Sequence, residues 1–327
     1  MSVGHDVVVV GNVGIDTNVY LHSTDVDWTV EANFTNNVDC IGQAGGYTAR
    51  GFRALGYRTA FIGHVGDDMG GRLIREVFTH EGIDTSVLWT DPQGTARSVN
   101  IVYPDGRRKN FYDGKGHMTL TPDLEQCRQV LAGAKLVHVH IPNWARHVLS
   151  AARACGALIA CDLQDLRTLD DPYRQDFIAA ADIIFFSSAN VGDPTALLQL
   201  LLHSKPERIV VVGMGEQGCA LGTREGVRLF ALIAANRGSG CIEALGTREG
   251  VRLFAPLDLG GPAVDTNGAG DGLAVGFLAS YALGGHAPEI AVQHGQAVAR
   301  LTCAQSTPKT PISWVDIERT LGGTLAG

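Results

Sequence analysis

The sequence predicts an α/β fold with a mainly parallel central sheet and a small β-strand lid, and three observations carry that expectation. Short β-branched runs bounded by Gly, Asn or Asp recur along the chain, helical patterns lie between several of them, and two polar-alternating stretches break the alternation. The runs are 7–10, 59–62, 136–140, 157–161, 183–186 and 209–212. Continuous apolar runs such as VVVV and IVVV suit strands covered on both faces. Helical patterns at 49–55, 71–80, 124–132, 146–154 and 194–203 read as crossovers joining parallel strands. Residues 12–42 and 95–113, the latter TARSVNIVYPDGRRKNFYD with its PDG turn, read as antiparallel strands projecting from the main sheet as the lid.

Composition narrows the function classes. A chain of 327 residues, 45% hydrophobic, buries a substantial core as one domain over 1–327. A formal net charge of -8, with no basic run beyond Arg107, Arg108 and Lys109, argues against a nucleic-acid partner and for a small-molecule one. Seven cysteines, none in a C-x-x-C pair, suggest reduced thiols rather than a disulfide framework or a zinc site. The N-terminus MSVGHDVVVVGNVGID lacks an export pattern and no apolar run approaches about 18 residues, so no membrane partner and a cytoplasmic location are expected.

An internal duplication stands apart. ALGTREGVRLFA occurs at 220–231 and again at 244–255. Solenoids need at least three units, so this reads as a local duplication of a hairpin around Thr-Arg-Glu-Gly, with one slot in the fold and a second copy that loops out or pairs at an edge.

The chemistry concentrates in DTNGAGD at 265–271. Asn267, Gly268, Ala269 and Gly270 precede a helical run with Leu273, Ala274, Phe277, Leu278 and Tyr281 on one stripe. Their backbone N–H groups converge at a helix N-terminus, a ready site for a phosphate. An acidic residue repels a phosphate there, so Asp271 calls for another reason, and taking a proton from an attacking hydroxyl is one. A structural reading stands beside it: Asp265 or Asn267 as N-cap, Asp271 as a first-turn charge and the glycines as a tight turn.

D-T-x-G-A-G-D before an apolar helix resembles the C-terminal signature of the ribokinase-like carbohydrate kinases, the PfkB family. GQAGGYTARGFRALG at 42–56 resembles that family's sugar-side segment, GHVGDDMGG at 63–71 its G-x-V-G-x-D-x-x-G, and VVVVGNVGID and VVVGMGEQG at 210–218 fall in matching order. The resemblance implies a ribokinase-like three-layer α/β/α domain that moves the γ-phosphate of ATP to a sugar hydroxyl. It implies Asp271 as the base, with the amides of Asn267, Gly268, Ala269 and Gly270 as the anion hole. Asp16, Gly42, Gln43 and Gly46 would line the acceptor site, and Arg97, Ser98 and Asn100 would close over it. Gly213, Gly215 and Gly218 would lie beneath ATP. Mg²⁺ would come with the nucleotide, and Asp265 and Thr266 resemble residues that hold a monovalent cation such as K⁺ in many members.

This chain departs from the pattern at Gln43, where a glycine is usual, and at Gly46 or Tyr47, where an Asn is frequent. The family's N-x-x-E reads here as Ser187-x-x-Asn190 or Asn190-x-x-Asp193, neither with a Glu. GMGEQG is a literal G-x-G-x-x-G, but hairpin strands rather than a helix are expected after it, against a dinucleotide fingerprint. No G-x-x-x-x-G-K-[ST] occurs. His138 and His140 share a strand face without an acidic partner at ligand spacing, which favours a structural role, and Asp162, Gln164 and Asp165 follow a strand where ligand contacts gather. A nucleoside kinase of the same family and a non-catalytic sugar or nucleotide sensor are the alternatives. A homodimer through lid strands is expected from their unpaired edges.

Overall fold

The computed structural model describes residues 4–191, 193–230, 253–254 and 263–325. Its strands are β1 (Val7–Val10), β2 (Gly14–Leu21), β3 (Thr35–Gly42), β4 (Thr59–Val65), β5 (Asp84–Thr90), β6 (Ala96–Val102) and β7 (Arg108–Asp113). There follow β8 (Leu136–Val139), β9 (Leu158–Asp165), β10 (Ile183–Ser187), β11 (Ile209–Gly213), β12 (Cys219–Thr223), β13 (Gly226–Phe230) and β14 (Leu253–Phe254). The helices are α1 (Ala44–Ala54), α2 (Met69–His80), α3 (Leu124–Leu131), α4 (Leu149–Ala154), α5 (Gln175–Ala180), α6 (Thr195–Ser204), α7 (Ala269–Leu278), α8 (Pro288–Cys303) and α9 (Trp314–Leu325).

The main sheet has ten strands in the order β14-β13-β12-β11-β10-β9-β8-β1-β4-β5. From β11 to β5 every pair is parallel, and the apolar runs are buried because helices cover both faces. Val7 and Val9 pack with α1, α7 and α8 on one side, while Val8 and Val10 pack with α3, α4 and α6 on the other. No helix among the described residues is long and apolar enough to cross a membrane.

The lid is a separate four-stranded sheet, β3-β2-β6-β7. Its outer pairs are antiparallel, but β2 and β6 run parallel, against the all-antiparallel expectation. Both strands follow parallel strands of the main sheet, β1 and β5, and leave its C-terminal edge in the same sense. Alternation along β6 buries Ser98 and Asn100 and turns Arg97 and Val99 outward.

Two local departures from the sequence expectation have physical causes, and the duplicated unit shows which copy lies beside β11. Helix α1 begins at Ala44 rather than Ala49, because Gly45 and Gly46 let its first turn lie against Asn12 and Val13; a Cβ on Gly45 would sit 2.5 Å from the Asn12 carbonyl oxygen. From Gly272 onward helix α7 is buried on every side rather than along one stripe, since α8 crosses it at close range, with a Cβ on Gly276 only 2.7 Å from the His294 carbonyl oxygen. The first copy of the duplicated unit forms β12 and β13, antiparallel beside β11. A short turn ties that copy directly to β11, which favours it for the adjacent slot. From the second copy, Leu253 and Phe254 pair in parallel with Leu229 and Phe230; its other residues lie outside the described ones.

Candidate active site

The C-terminal ends of β1, β8, β9, β10 and β11 open into a cleft of about 1610 Å³, roofed by the lid and bounded by the start of α7. This is where parallel α/β sheets bind ligands. Asp16, Gln43, Gly213, Gly215, Gly218, Thr266, Asn267, Gly268, Ala269, Gly270 and Asp271 all line it. Segments up to about 250 residues apart in sequence therefore share one wall.

Helix α7 starts from Gly268 in the left-handed region, φ 77°. Of the four amides expected to hold an anion, two are turned inward, the Asn267 N–H donating to the Asp265 carboxylate at 2.8 Å and the Ala269 N–H to the Thr266 carbonyl at 3.2 Å, which leaves those of Gly268 and Gly270 for the cleft. A Cβ on Gly270 would meet nothing within 4 Å, so the backbone there faces open cleft. Asp271 stands on this first turn. Burial raises its carboxyl well above the ordinary carboxylate range, the neighbouring Asp162 adds to the rise, and Arg108 opposes it. Asp162, within β9, is itself raised to about 6 by burial.

His140, Asp162 and Asp271 offer ligand atoms that all lie within 4.8 Å of one another. The His140 Nδ1 has no hydrogen-bond partner and lies 4.0 Å from the Asp162 carboxylate; its Nε2 lies 3.0 Å from the Thr48 hydroxyl. His140 thus has the acidic partner that sequence spacing did not reveal, because Asp162 comes from the adjacent parallel strand. His138 does not share this role. It is wholly buried among Phe52, Phe185 and His140, and burial holds its ring well below its ordinary pKa.

On the lid side Asp16 is 3% exposed and its carboxylate is held from several directions. Gln43 Nε2 donates to Oδ1 at 2.8 Å and to the Ser98 hydroxyl at 2.8 Å, and the Tyr47 hydroxyl donates to Oδ2 at 2.9 Å. Burial nonetheless raises the Asp16 carboxyl. Gln43 occupies φ 64°, a conformation that suits the glycine usual at this position and strains a longer side chain. Its amide bridges Asp16 and Ser98, a contact that a glycine cannot make. Gly42 serves by close approach: a Cβ there would fall 2.2 Å from Asp16 Oδ2.

Three expected acceptor residues stand elsewhere. Arg97 is on the outer face of the lid, 3.4 Å from the Thr17 hydroxyl, because it alternates with the inward Ser98. Gly46 faces Val13 and Ile41, so it packs α1 rather than touching a ligand. Asn100 is fully buried behind the cleft wall, donating to Asn18 at 3.1 Å and accepting from Asn110 at 2.8 Å. This asparagine row continues to the anion loop, where Asn267 Nδ2 donates to Asn18 Oδ1 at 3.2 Å and to the Tyr47 hydroxyl at 3.0 Å. From β7, Arg108 donates to Asn267 Oδ1. Lid and anion loop are thereby one hydrogen-bonded unit.

The turn after β11 carries Gly215 and Gly218 at φ 57° and 96° and leads into a strand, not a helix. Ser187 and Asp165 also line the cleft there, and Asn190 donates to Asp165 at 3.0 Å.

Behind the loop the structure departs from the expected monovalent-cation site. Asp265 is buried and accepts from Tyr20 at 2.8 Å, from Thr307 at 3.0 Å and from the Asn267 backbone at 2.8 Å. The Lys309 ammonium donates to the carbonyl oxygens of Asp265 at 2.8 Å and Asn267 at 2.5 Å, on either side of Thr266 in sequence. Tyr47, marked in the sequence only as a departure from the frequent Asn, and Arg108, marked only as part of a basic run, both line the cleft, as do Asn12 and Tyr112, which sequence reasoning did not single out.

The chain matches the family described as pfkB family carbohydrate kinase over residues 5–236 and 253–314. It is 29% identical to the acarbose 7(IV)-phosphotransferase of Actinoplanes sp., covering 97% of each chain. A nucleoside kinase of Methanothermobacter thermautotrophicus is 23% identical over 87% of this chain and 85% of its own length. Among solved structures, the microbiome-derived acarbose kinase Mak1 superposes with a TM-score of 0.82 at 30% identity, over 98% of this chain and 99% of that one. Arabidopsis thaliana ribokinase, solved with ribose and ATP, shares the fold with a TM-score of 0.73 at 19% identity, over 97% and 99%.

Proposed function

The chain belongs to the pfkB family of carbohydrate kinases and is an ATP-dependent carbohydrate kinase, and from that premise we propose that Asp271 is its base and a carbohydrate of the acarbose type its acceptor. The observation that carries the assignment of the base is the position of Asp271 on the first turn of α7, beside the exposed backbone of Gly270 and across the cleft from Asp16. A carboxylate in an anion-binding turn has a purpose when it faces a hydroxyl to be deprotonated.

The acceptor hydroxyl gives its proton to Asp271 as its oxygen bonds to the γ-phosphorus, and the bond from that phosphorus to the β–γ bridging oxygen breaks. The products are the phosphorylated sugar, ADP and a proton that leaves Asp271 for solvent. Backbone N–H groups at Gly268 and Gly270 stabilise charge on the phosphoryl oxygens as it passes. Asp16, held by Gln43 and Tyr47, positions the acceptor. Arg108, on the lid, brings positive charge over the loop when the lid lies closed.

The Asp162 carboxylate would hold the nucleotide's Mg²⁺, which when bound neutralises phosphate charge, while Asp271 beside it keeps the role of base. The relatives at 29% and 30% identity, matched almost end to end, favour an acarbose-type acceptor over a nucleoside. ADP release from ATP·Mg²⁺ tests this against acarbose, ribose, fructose, adenosine and cytidine. Turnover greatest with acarbose supports the proposal, turnover greatest with a nucleoside replaces the acceptor, and nucleotide binding without turnover on any acceptor favours the sensor.

Asp162 supplies a pH test. Its negative charge helps hold the Asp271 carboxyl up, so Asp162→Asn lets Asp271 ionise at lower pH. The acid limb of kcat/KM, which reports groups of the free enzyme, is expected to move to lower pH. An unmoved limb would detach Asp271 from that ionisation.

A further inference from the structure

We infer that the ammonium of Lys309 is the resident cation behind the anion loop and replaces a monovalent metal ion there, so that this kinase works without K⁺. The inference rests on the proposed role of the 267–270 loop and concerns how that loop is held and polarised.

Four observations converge on it. The Lys309 Nζ lies 2.8 Å from the Asp265 carbonyl oxygen, 2.5 Å from the Asn267 carbonyl oxygen and 3.7 Å from the Asp265 carboxylate. An ammonium has three donors and no acceptor; the two carbonyls accept two of its hydrogen bonds, and the Asp265 carboxylate at 3.7 Å balances its charge. The Lys309 side chain is 15% exposed and its burial lowers its pKa, with Asp265 opposing that shift. Such a charge persists because the Asp265 carboxylate, itself 1% exposed, is its counter-ion.

The loop that delivers Lys309 is built for the position. Its Gln305 and Thr310 are bonded to each other, with the Thr310 N–H donating to Gln305 Oε1 at 2.7 Å. Thr307 is tied at 3.0 Å to the same Asp265 carboxylate and receives an Asn18 amide at 3.3 Å. The lysine is thus aimed beneath the anion loop by contacts on both sides of it in sequence.

The chemistry follows from peptide geometry. The Asn267 carbonyl and the Gly268 N–H belong to one peptide unit, so a positive charge on that oxygen draws electron density away from the N–H that faces the phosphoryl group. Lys309 is a positioning residue: it touches no reacting atom and acts through this peptide. With the ammonium at hydrogen-bond distance from both carbonyls, a metal ion on the same oxygens would be crowded by a like charge.

The test uses the full chain in KCl, NaCl and choline chloride at equal ionic strength, reading initial rate and, separately, melting temperature without nucleotide or acceptor. Wild-type protein is expected to show the same rate within about twofold and the same melting temperature in all three salts. Lys309→Ala is expected to lose at least about tenfold in rate in choline, then to recover rate and gain melting temperature as KCl replaces it. Lys309→Met, which fills the space without charge, is expected to stay impaired in every salt. A wild-type rate or melting temperature that climbs with K⁺ would overturn the inference, and so would Lys309→Ala that is fully active in choline or not restored by K⁺ or Na⁺. Because the melting measurement needs no acceptor, it stands even if the acceptor assignment fails, and the wild-type salt series stands even if a variant fails to fold.

Discussion

Asp271→Asn is expected to lower kcat by about 10²–10⁴, the usual contribution of a positioned general base, with little change in the KM for either substrate. The same substitution is expected to stabilise the protein. Burial and Asp162 raise the Asp271 carboxyl well above its ordinary value of 3.8, so the folded state holds that proton more tightly than the unfolded chain does. Below the ordinary carboxylate range both states are protonated and the favourable contribution is complete; as pH rises through the folded-state pKa it is lost, and the ionised carboxylate then opposes folding. Asn carries no charge to desolvate. Its melting temperature near pH 7 is therefore expected to exceed wild type by roughly 2–4 °C for each kcal/mol relieved, with the difference vanishing in acid. A kinase-dead protein that melts lower at neutral pH would mean that Asp271 is mainly structural; retained turnover would remove it from the chemistry.

The second large effect is expected at Gly42. A Cβ there would stand 2.2 Å from Asp16 Oδ2 and 2.3 Å from its Cγ, far inside contact distance. Something must shift, and Asp16 is pinned by Gln43 and Tyr47. Gly42→Ala is expected to raise the KM for the acceptor at least about tenfold, equivalent to about 1.4 kcal/mol of binding, while the KM for ATP stays near wild type. Asp16→Ala removes the clash along with the contact, so the double variant should behave like Asp16→Ala alone. Strictly additive losses would show that Gly42 acts by another route, and an unchanged acceptor KM would detach Asp16 from the acceptor.

Much of the fold was legible because its signals are local. VVVV and IVVV run as wholly buried strands since apolar alternation fails only where both faces are covered. The polar alternation of SVNIV placed a sheet outside the core, although it could not tell that β2 and β6 pair in parallel, which depends on where the main sheet releases them. The start of α1 was hidden because glycine reads as a helix breaker, whereas Gly45 is there for close packing on Asn12.

By itself the sequence located the glycine-rich turn at 265–271 as the candidate site, since Gly268, Gly270 and Asp271 lie within one turn and their spacing is their geometry. It also determined the parallel core, through the composition of its strands. Only the tertiary structure decided what surrounds that loop. Parallel strands bring His140 and Asp162 together, although 22 positions separate them. A loop after α8 brings Lys309 beneath Asp265 and Asn267, and strand alternation turns Arg97 away from the cleft while it turns Ser98 towards it. The physical reason is the same in each case: backbone hydrogen bonding and glycine conformation act between near neighbours and leave a mark in sequence, whereas electrostatic partners meet through folding of distant segments and leave none.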